Sequence, residues 1–153
     1  MEEIFKKYPL LKDQNVPRGT LIEFELFISM LKQKNEEINI ISKETAKNEV
    51  IRERHIIDSL QIIEFVDLNS RIITDIGSGG GMPGIIISIM IKNMKNLAKV
   101  HLYEKSHHKS SFLRKVSRDL KLNTEVMQEN IFEAENLDSG TIMARAFMVT
   151  FFI

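Results

Sequence analysis

The run Ile72-Ile73-Thr74-Asp75-Ile76-Gly77-Ser78-Gly79-Gly80-Gly81-Met82-Pro83-Gly84 constrains the fold of this chain more than any other stretch. Its β-branched start ends in an acid, then turns through glycines into a second apolar segment. This order predicts a strand over 72–76, a glycine loop and a helix near 83–94, the arrangement that opens a ligand pocket at a strand's carboxyl end in α/β sheets. Glycine suits such a loop because it tolerates positive φ, and because a missing Cβ lets a ligand lie against the backbone. The stretch from Ile85 to Ile91 reads locally as strand or helix. Helix is the reading that leaves room for a crossover, since a parallel strand needs a long connection before it.

Two glycine patterns overlap in the run. Gly79, Gly81 and Gly84 satisfy G-x-G-x-x-G, in which a helix amino end holds a pyrophosphate. Asp75, Gly77, Gly79 and Gly81 satisfy D-x-G-x-G-x-G, the loop expected for S-adenosylmethionine. That ligand carries an ammonium and a sulfonium but no phosphate, so Asp75 is compatible with it and would repel a pyrophosphate. No Gly-Lys-Ser/Thr follows the glycines, which excludes a Walker loop. A glycine-rich turn without a ligand is the bland alternative, and a cofactor site accounts better for so dense a run.

At 153 residues the chain is one domain's worth, long enough for a core but short for a complete α/β enzyme. Its 43% hydrophobic and 27% charged content is ordinary for a soluble globular protein. The absence of cysteine removes disulfides, a thiolate metal site and methyl transfer by a Cys nucleophile. His107 and His108 lack partners at metal-ligand spacing, so no metal is expected. Met1-Glu2-Glu3 does not open a signal peptide. No apolar run approaches the roughly 20 residues of a membrane span, and the expected location is cytoplasmic, with no membrane partner.

Net charge is zero but unevenly placed. Residues 92–121 carry nine Lys or Arg against Glu104 and Asp119. Residues 122–153 carry one against five acids. The basic stretch is either a solvated helix face or a phosphate-facing surface, the footprint of nucleic-acid binding.

The chain divides into a helical segment, 1–67, and an α/β segment, 68–153. Leu21, Phe24, Phe27, Ile28 and Leu31 form one helical stripe, and Ile56, Ile57, Leu60, Ile63 and Phe65 suggest another. Ser42 between them is a candidate helix cap. Strands are expected near 72–76, 99–104, 124–128 and 141–145, with helices near 83–94 and 108–121. Such alternation argues a parallel sheet with right-handed crossovers.

Candidate site residues follow from strand ends. Glu104 ends the second strand, 23 positions past Gly81, close to the spacing of about 20 at which an acid binds ribose hydroxyls. The alternative is a surface carboxylate. Ile131 and Phe132, after the third strand, form either an apolar wall for an adenine ring or core packing. Arg145 ends the fourth strand and would point into the cleft. His55 is either a base or, as the better reading, a hydrogen-bonded structural histidine.

Arg54-His55-Ile56-Ile57-Asp58-Ser59-Leu60, Asp75-Ile76-Gly77-Ser78-Gly79-Gly80-Gly81-Met82-Pro83-Gly84, Phe112-Leu113 and Ala144-Arg145-Ala146-Phe147 occur in this order. Together they resemble the RsmG (GidB) family of bacterial small-subunit ribosomal RNA guanine-N-7 methyltransferases, over about residues 20 to 147. The resemblance implies a class I (Rossmann-like) methyltransferase fold, α/β with N-terminal helices. It implies S-adenosylmethionine as cofactor, held by Gly77, Met82, Ile131, Phe132 and Arg145, beside Gly79 of the loop and Glu104. It also implies small-subunit ribosomal RNA as partner, methylated at guanine N-7. The family's strand order puts the fourth strand beside the first.

Two departures accompany the match. Lys34 stands where the family usually has a tryptophan before the asparagine aligned with Asn35. Family members also continue for roughly a further third of their length past the Arg-Ala motif. On that reading the chain lacks the C-terminal strands, leaves Phe147, Phe151 and Phe152 without partners, and self-associates without methyl transfer. The competing functions are a non-catalytic adenosylmethionine- or RNA-binding remnant and an NAD-dependent oxidoreductase.

Overall fold

A computed structural model describes residues 3–12 and 15–145. Four parallel strands form one sheet in the order β3-β2-β1-β4. They are β1 (Ile72–Ile76), β2 (Lys99–Tyr103), β3 (Thr124–Met127) and β4 (Thr141–Ala144). The fourth strand lies beside the first, as the resemblance implies, and Ile76 pairs with both Tyr103 and Ala144. Every strand ends within a residue of its expected position. The phenylalanines expected to lack partners, Phe147, Phe151 and Phe152, lie outside the described residues.

Six α-helices are described. They are α1 (Glu3–Lys6), α2 (Arg18–Glu37), α3 (Asn48–Val50), α4 (Asp58–Gln61), α5 (Gly84–Asn93) and α6 (His107–Asp119). The isoleucine run is helical: α5 buries Ile85, Ile86, Ile87, Ile89 and Ile91. A helix covered on nearly all sides loses its amphipathic signature, which is why the local pattern was ambiguous. Helix α6 is amphipathic and buries Phe112, Leu113 and Val116. Ser106 caps it by accepting from the backbone N–H of Lys109.

The five residues of the first stripe, Leu21, Phe24, Phe27, Ile28 and Leu31, are all buried on α2. That helix lies against α5 and α6, with the Phe27 ring stacked at 6.5 Å from Phe112. One apolar cluster runs from Tyr8 through α2 and α5 to Met143 on β4. The second stripe holds only in part. Ile56, Ile57 and Leu60 are buried, but Phe65 is 76% exposed. Here a π-helix, Ile51–Ile57, joins α3 to α4, and a 3-10 turn follows at Ile62–Phe65. Each change of residues per turn rotates the apolar face, so a 3.6-residue stripe cannot continue through both.

Ser42 caps a turn rather than a helix. Its hydroxyl accepts from Thr45 N at 3.3 Å, and the next helix begins at Asn48. Asn35 closes α2 instead: its Oδ1 accepts from the N–H of Ile40 and Ile41 at 2.8 and 2.9 Å. Among the described residues no helix is long and apolar enough to cross a membrane.

A polar knot ties α2 to the π-helix. Arg52 donates through Nε and Nη2 to the two Glu25 oxygens at 2.8 and 2.7 Å, and the Tyr8 hydroxyl donates to Glu25 at 2.7 Å. Burial by itself would raise the Glu25 pKa. The Arg52 bonds, then that of Tyr8, more than offset it and hold the carboxyl at about 2. A depressed carboxylate stabilises the fold above its unfolded pKa, and that contribution is lost as pH falls through the folded value. Glu25→Gln should therefore destabilise the chain by about 1–2 kcal/mol at neutral pH, allowing for solvent screening. The difference from the parent should vanish towards pH 2, which chemical denaturation along a pH series measures directly.

Candidate functional site

Past Ile76 the chain turns through three residues of positive φ: Gly77 at 66°, Gly79 at 54° and Gly81 at 98°. L side chains rarely adopt these angles, which is why the run is glycine-rich. The loop closes on itself and on β2. Ser78 N donates to the Tyr103 carbonyl at 2.9 Å, and Gly81 N donates to that of Ser78 at 2.7 Å.

Two acids hold further amides of this region. Glu104 Oε2 accepts from Gly79 N at 2.9 Å, while Oε1 accepts from Ser106 N, also at 2.9 Å. Asp75 Oδ2 accepts from Gly84 N, at the start of α5, at 3.0 Å. Gly84 is a packing requirement: a Cβ there would lie 2.4 Å from Leu102 Cδ2 and 2.5 Å from Asp75 Oδ2. Asp75 itself is fully buried, and its Oδ1 has no partner. Burial pushes the carboxyl up to about 7; the Ser78 hydroxyl and then the Gly84 N–H oppose the rise, and Glu104 adds to it.

At the carboxyl ends of the strands lies an open cavity of about 450 Å³. Its floor is the loop, with Gly77, Gly79 and Met82. Glu104 forms one wall, Ile131 and Phe132 another, and Arg145 closes the β4 side. All seven residues singled out from the sequence therefore meet at one cavity. Asp75 does not line it; it stands behind the loop and supports it.

The open alternatives resolve by position. Glu104 is 9% exposed, so it is no surface carboxylate. Phe132 is 69% exposed, so it is cavity wall rather than core. Its turn, Ile131–Glu133, is capped by Asn130, whose Oδ1 accepts from Phe132 N at 3.1 Å. Arg145 Nη2 donates to the Arg54 carbonyl at 2.6 Å and lies 3.9 Å from Asp58 Oδ2, while its Nη1 is buried without a partner.

His55 corrects one expectation. Both ring nitrogens are buried and neither has a hydrogen-bond partner, so it is not a hydrogen-bonded structural histidine. Its pKa is lowered, by burial first and then by Arg145.

The lining also includes Lys105 and Lys109 of the basic stretch, and Glu129, which sequence reasoning passed over. The signal of Glu129 was positional, because it follows the end of β3. The basic stretch is not one face. Lys105 and Lys109 reach the cavity, whereas Lys92 is tied to Glu23 and the Leu120 carbonyl, and Lys115 pairs with Asp119.

A family model described as GidB, rRNA small subunit methyltransferase G, matches residues 21–151. The chain belongs to this family. It is 91% identical over 147 residues to the ribosomal RNA small subunit methyltransferase G of Pelagibacter ubique (strain HTCC1062), covering 96% of this chain and 69% of that protein. It is 36% identical over 132 residues to the protein of the same name from Rickettsia rickettsii (strain Sheila Smith), covering 86% and 65%. The chain thus spans about two thirds of the length of these methyltransferase G relatives. Family membership does not favour the NAD-dependent oxidoreductase or the non-catalytic remnant. The loop agrees on physical grounds: the amides of Gly79 and Gly84 are taken by carboxylates, where a pyrophosphate would need them free.

A carboxyl whose pKa is raised on folding to about 7 takes up a proton as the chain folds between its unfolded value and that pH, so stability falls as pH rises through this window. Asp75→Asn keeps an acceptor for Gly84 N and cannot ionise. Its stability relative to the parent should rise from pH 4 to about pH 7 and then level off, as thermal melts at matched ionic strength would show.

Proposed function

We propose that the cavity holds S-adenosylmethionine and that the chain's activity is methyl transfer to N-7 of a guanine in small-subunit (16S) ribosomal RNA, in the cytoplasm. The observation that carries this is the convergence of a floor of positive-φ glycines, a carboxylate wall, an apolar wall and an arginine on one cavity within a methyltransferase family.

The residues fit the ligand's chemistry. Arg145, on the cavity's β4 side, is a cation suited to the ligand's carboxylate. Each Glu104 oxygen accepts one backbone N–H. A carboxylate has about four lone-pair sites, so capacity remains for the two ribose hydroxyls. Ile131 and Phe132 offer an apolar face to the adenine ring. Gly77 and Gly79 let the ligand's amino-acid end approach the backbone. When bound, the cofactor supplies an electrophilic methyl on its sulfonium.

Guanine N-7 carries a lone pair and no proton, so the attack requires no general base. What the protein must supply is alignment of the base with the methyl and exclusion of water. Lys105 and Lys109, at the cavity rim, suit RNA phosphates flanking the target.

Calorimetric titration should detect adenosylhomocysteine and not NAD, and a tritium-methyl assay should label small subunits that lack the modification, against the expectation of inactivity drawn above from the relatives' greater length. Binding of NAD instead, or no labelling, would overturn the function. Gly77→Val should abolish adenosylhomocysteine binding, because a β-branched residue opposes its φ of 66° and fills the ligand's space. Glu104→Ala should weaken that binding by about 1.5–3 kcal/mol, the worth of a charged hydrogen-bonding acceptor. Unchanged affinity in both variants would place the ligand elsewhere.

A further inference from the structure

The Arg54–Leu60 motif is prominent in the sequence, yet none of its side chains lines the cavity. It occupies the end of the π-helix and the start of α4. Single π turns inside helices recur at functional sites because they redirect a side chain that α geometry would place elsewhere. Here the redirected segment meets the cavity wall: the Arg54 carbonyl accepts from Arg145, and Asp58 lies beside the same guanidinium.

His55 sits between those two contacts. Leaving a buried polar atom without a partner costs about 1–3 kcal/mol, and His55 leaves both ring nitrogens so. The residue as a whole is only half-buried, so its exposure falls on other atoms. The ring torsion is broad and roughly two-fold, and a half-turn exchanges each nitrogen with a ring carbon. A half-turn of the ring is thus the motion that presents a nitrogen where a ring carbon now stands, with the backbone unmoved.

The chemistry of the proposed reaction says what that newcomer needs. N-7 must keep its lone pair free to attack, so the base has to be gripped through a neighbouring atom. On that edge of guanine the neighbour is O6, an acceptor, whereas adenine presents an amino donor there. A neutral imidazole N–H supplies the matching donor. Neutrality also matters, because the base gains positive charge as the methyl transfers and a cation against O6 would oppose it. Arg145 and Arg54 both disfavour the imidazolium, and Asp58, which favours it, is exposed to solvent.

We propose that His55 is a substrate-recognition residue: an uncharged ring beside Arg145 whose N–H donates to O6 of the target guanine and fixes its N-7 for attack. This rests on the methyltransferase function proposed above. The test compares the parent chain with His55→Phe, which keeps a ring but no donor, and His55→Gln, which restores an amide donor. Adenosylhomocysteine affinity, measured by calorimetry, should stay within about twofold in both variants, since the residue is outside the cofactor contacts; this also shows that they fold. With small subunits lacking the modification as substrate, kcat/KM for the subunit should fall about tenfold or more in His55→Phe, the worth of one hydrogen bond at a reacting base, and largely recover in His55→Gln. The KM for the cofactor should not change. If His55→Phe methylates as the parent does, or if His55→Gln is no better than His55→Phe, the recognition role is overturned while the function stands. Failure of the parent itself to bind adenosylhomocysteine or to methylate overturns the function and this role with it.

Discussion

Two carboxylates gripping three backbone amides hold the rest of the site in place. Asp75, at the end of β1, takes the first N–H of α5, and Glu104, just past β2, takes the amides of Gly79 and Ser106. Three separate pieces of chain are thereby set against one another: the glycine loop, the start of α5 and the turn into α6. The amides of Gly84 and Ser106 stand at helix starts and lack intrahelical partners, so each of these contacts fixes direction as well as distance. Without them the loop would keep its positive-φ glycines but lose the reason to stand in one conformation.

The same bonds decide what the cavity can accept. A loop whose amides are free is an anion cradle, and a loop whose amides are filled by side-chain carboxylates is closed to phosphate. The Glu104 carboxylate on the cavity wall instead suits a ligand that carries cationic groups and hydroxyls. Electrostatics thus separates two ligand classes that the glycine spacing alone leaves open. Asp75 serves by being buried and supporting, and Glu104 by facing the cavity, although both are acids at strand ends.

The first, helical part of the chain contributes to this site from behind. Helix α2 packs on α5 and α6, and the Arg52–Glu25–Tyr8 knot binds the π-helix to α2. That π-helix and the start of α4 then present the Arg54 carbonyl and Asp58 to Arg145, just past β4. A cavity-lining side chain on the sheet is therefore held by a segment some ninety residues earlier. His55, unpartnered between them, belongs to this junction rather than to either half.

The sequence by itself determined the strand–loop–helix core, the parallel alternation and, apart from Met82, which only the family resemblance supplied, the residues singled out for the cavity. Each of these rests on local chemistry: glycines at positive φ, β-branched strands, and side chains placed at strand ends, where parallel sheets gather their functional groups. It also carried the α2 stripe, whose period is uninterrupted. What only the tertiary structure decided lies where local patterns stop being informative. Phe65 left the apolar face because π and 3-10 turns rotated it out of phase. The role of Asp75 depended on which side of the loop it faced, and that of Lys92 on a carboxylate 69 positions away. The missing partners of His55 are likewise a property of its surroundings. Long-range contacts have no spacing to read in the chain, so burial, pairing and isolation of a polar group emerge only when the elements pack.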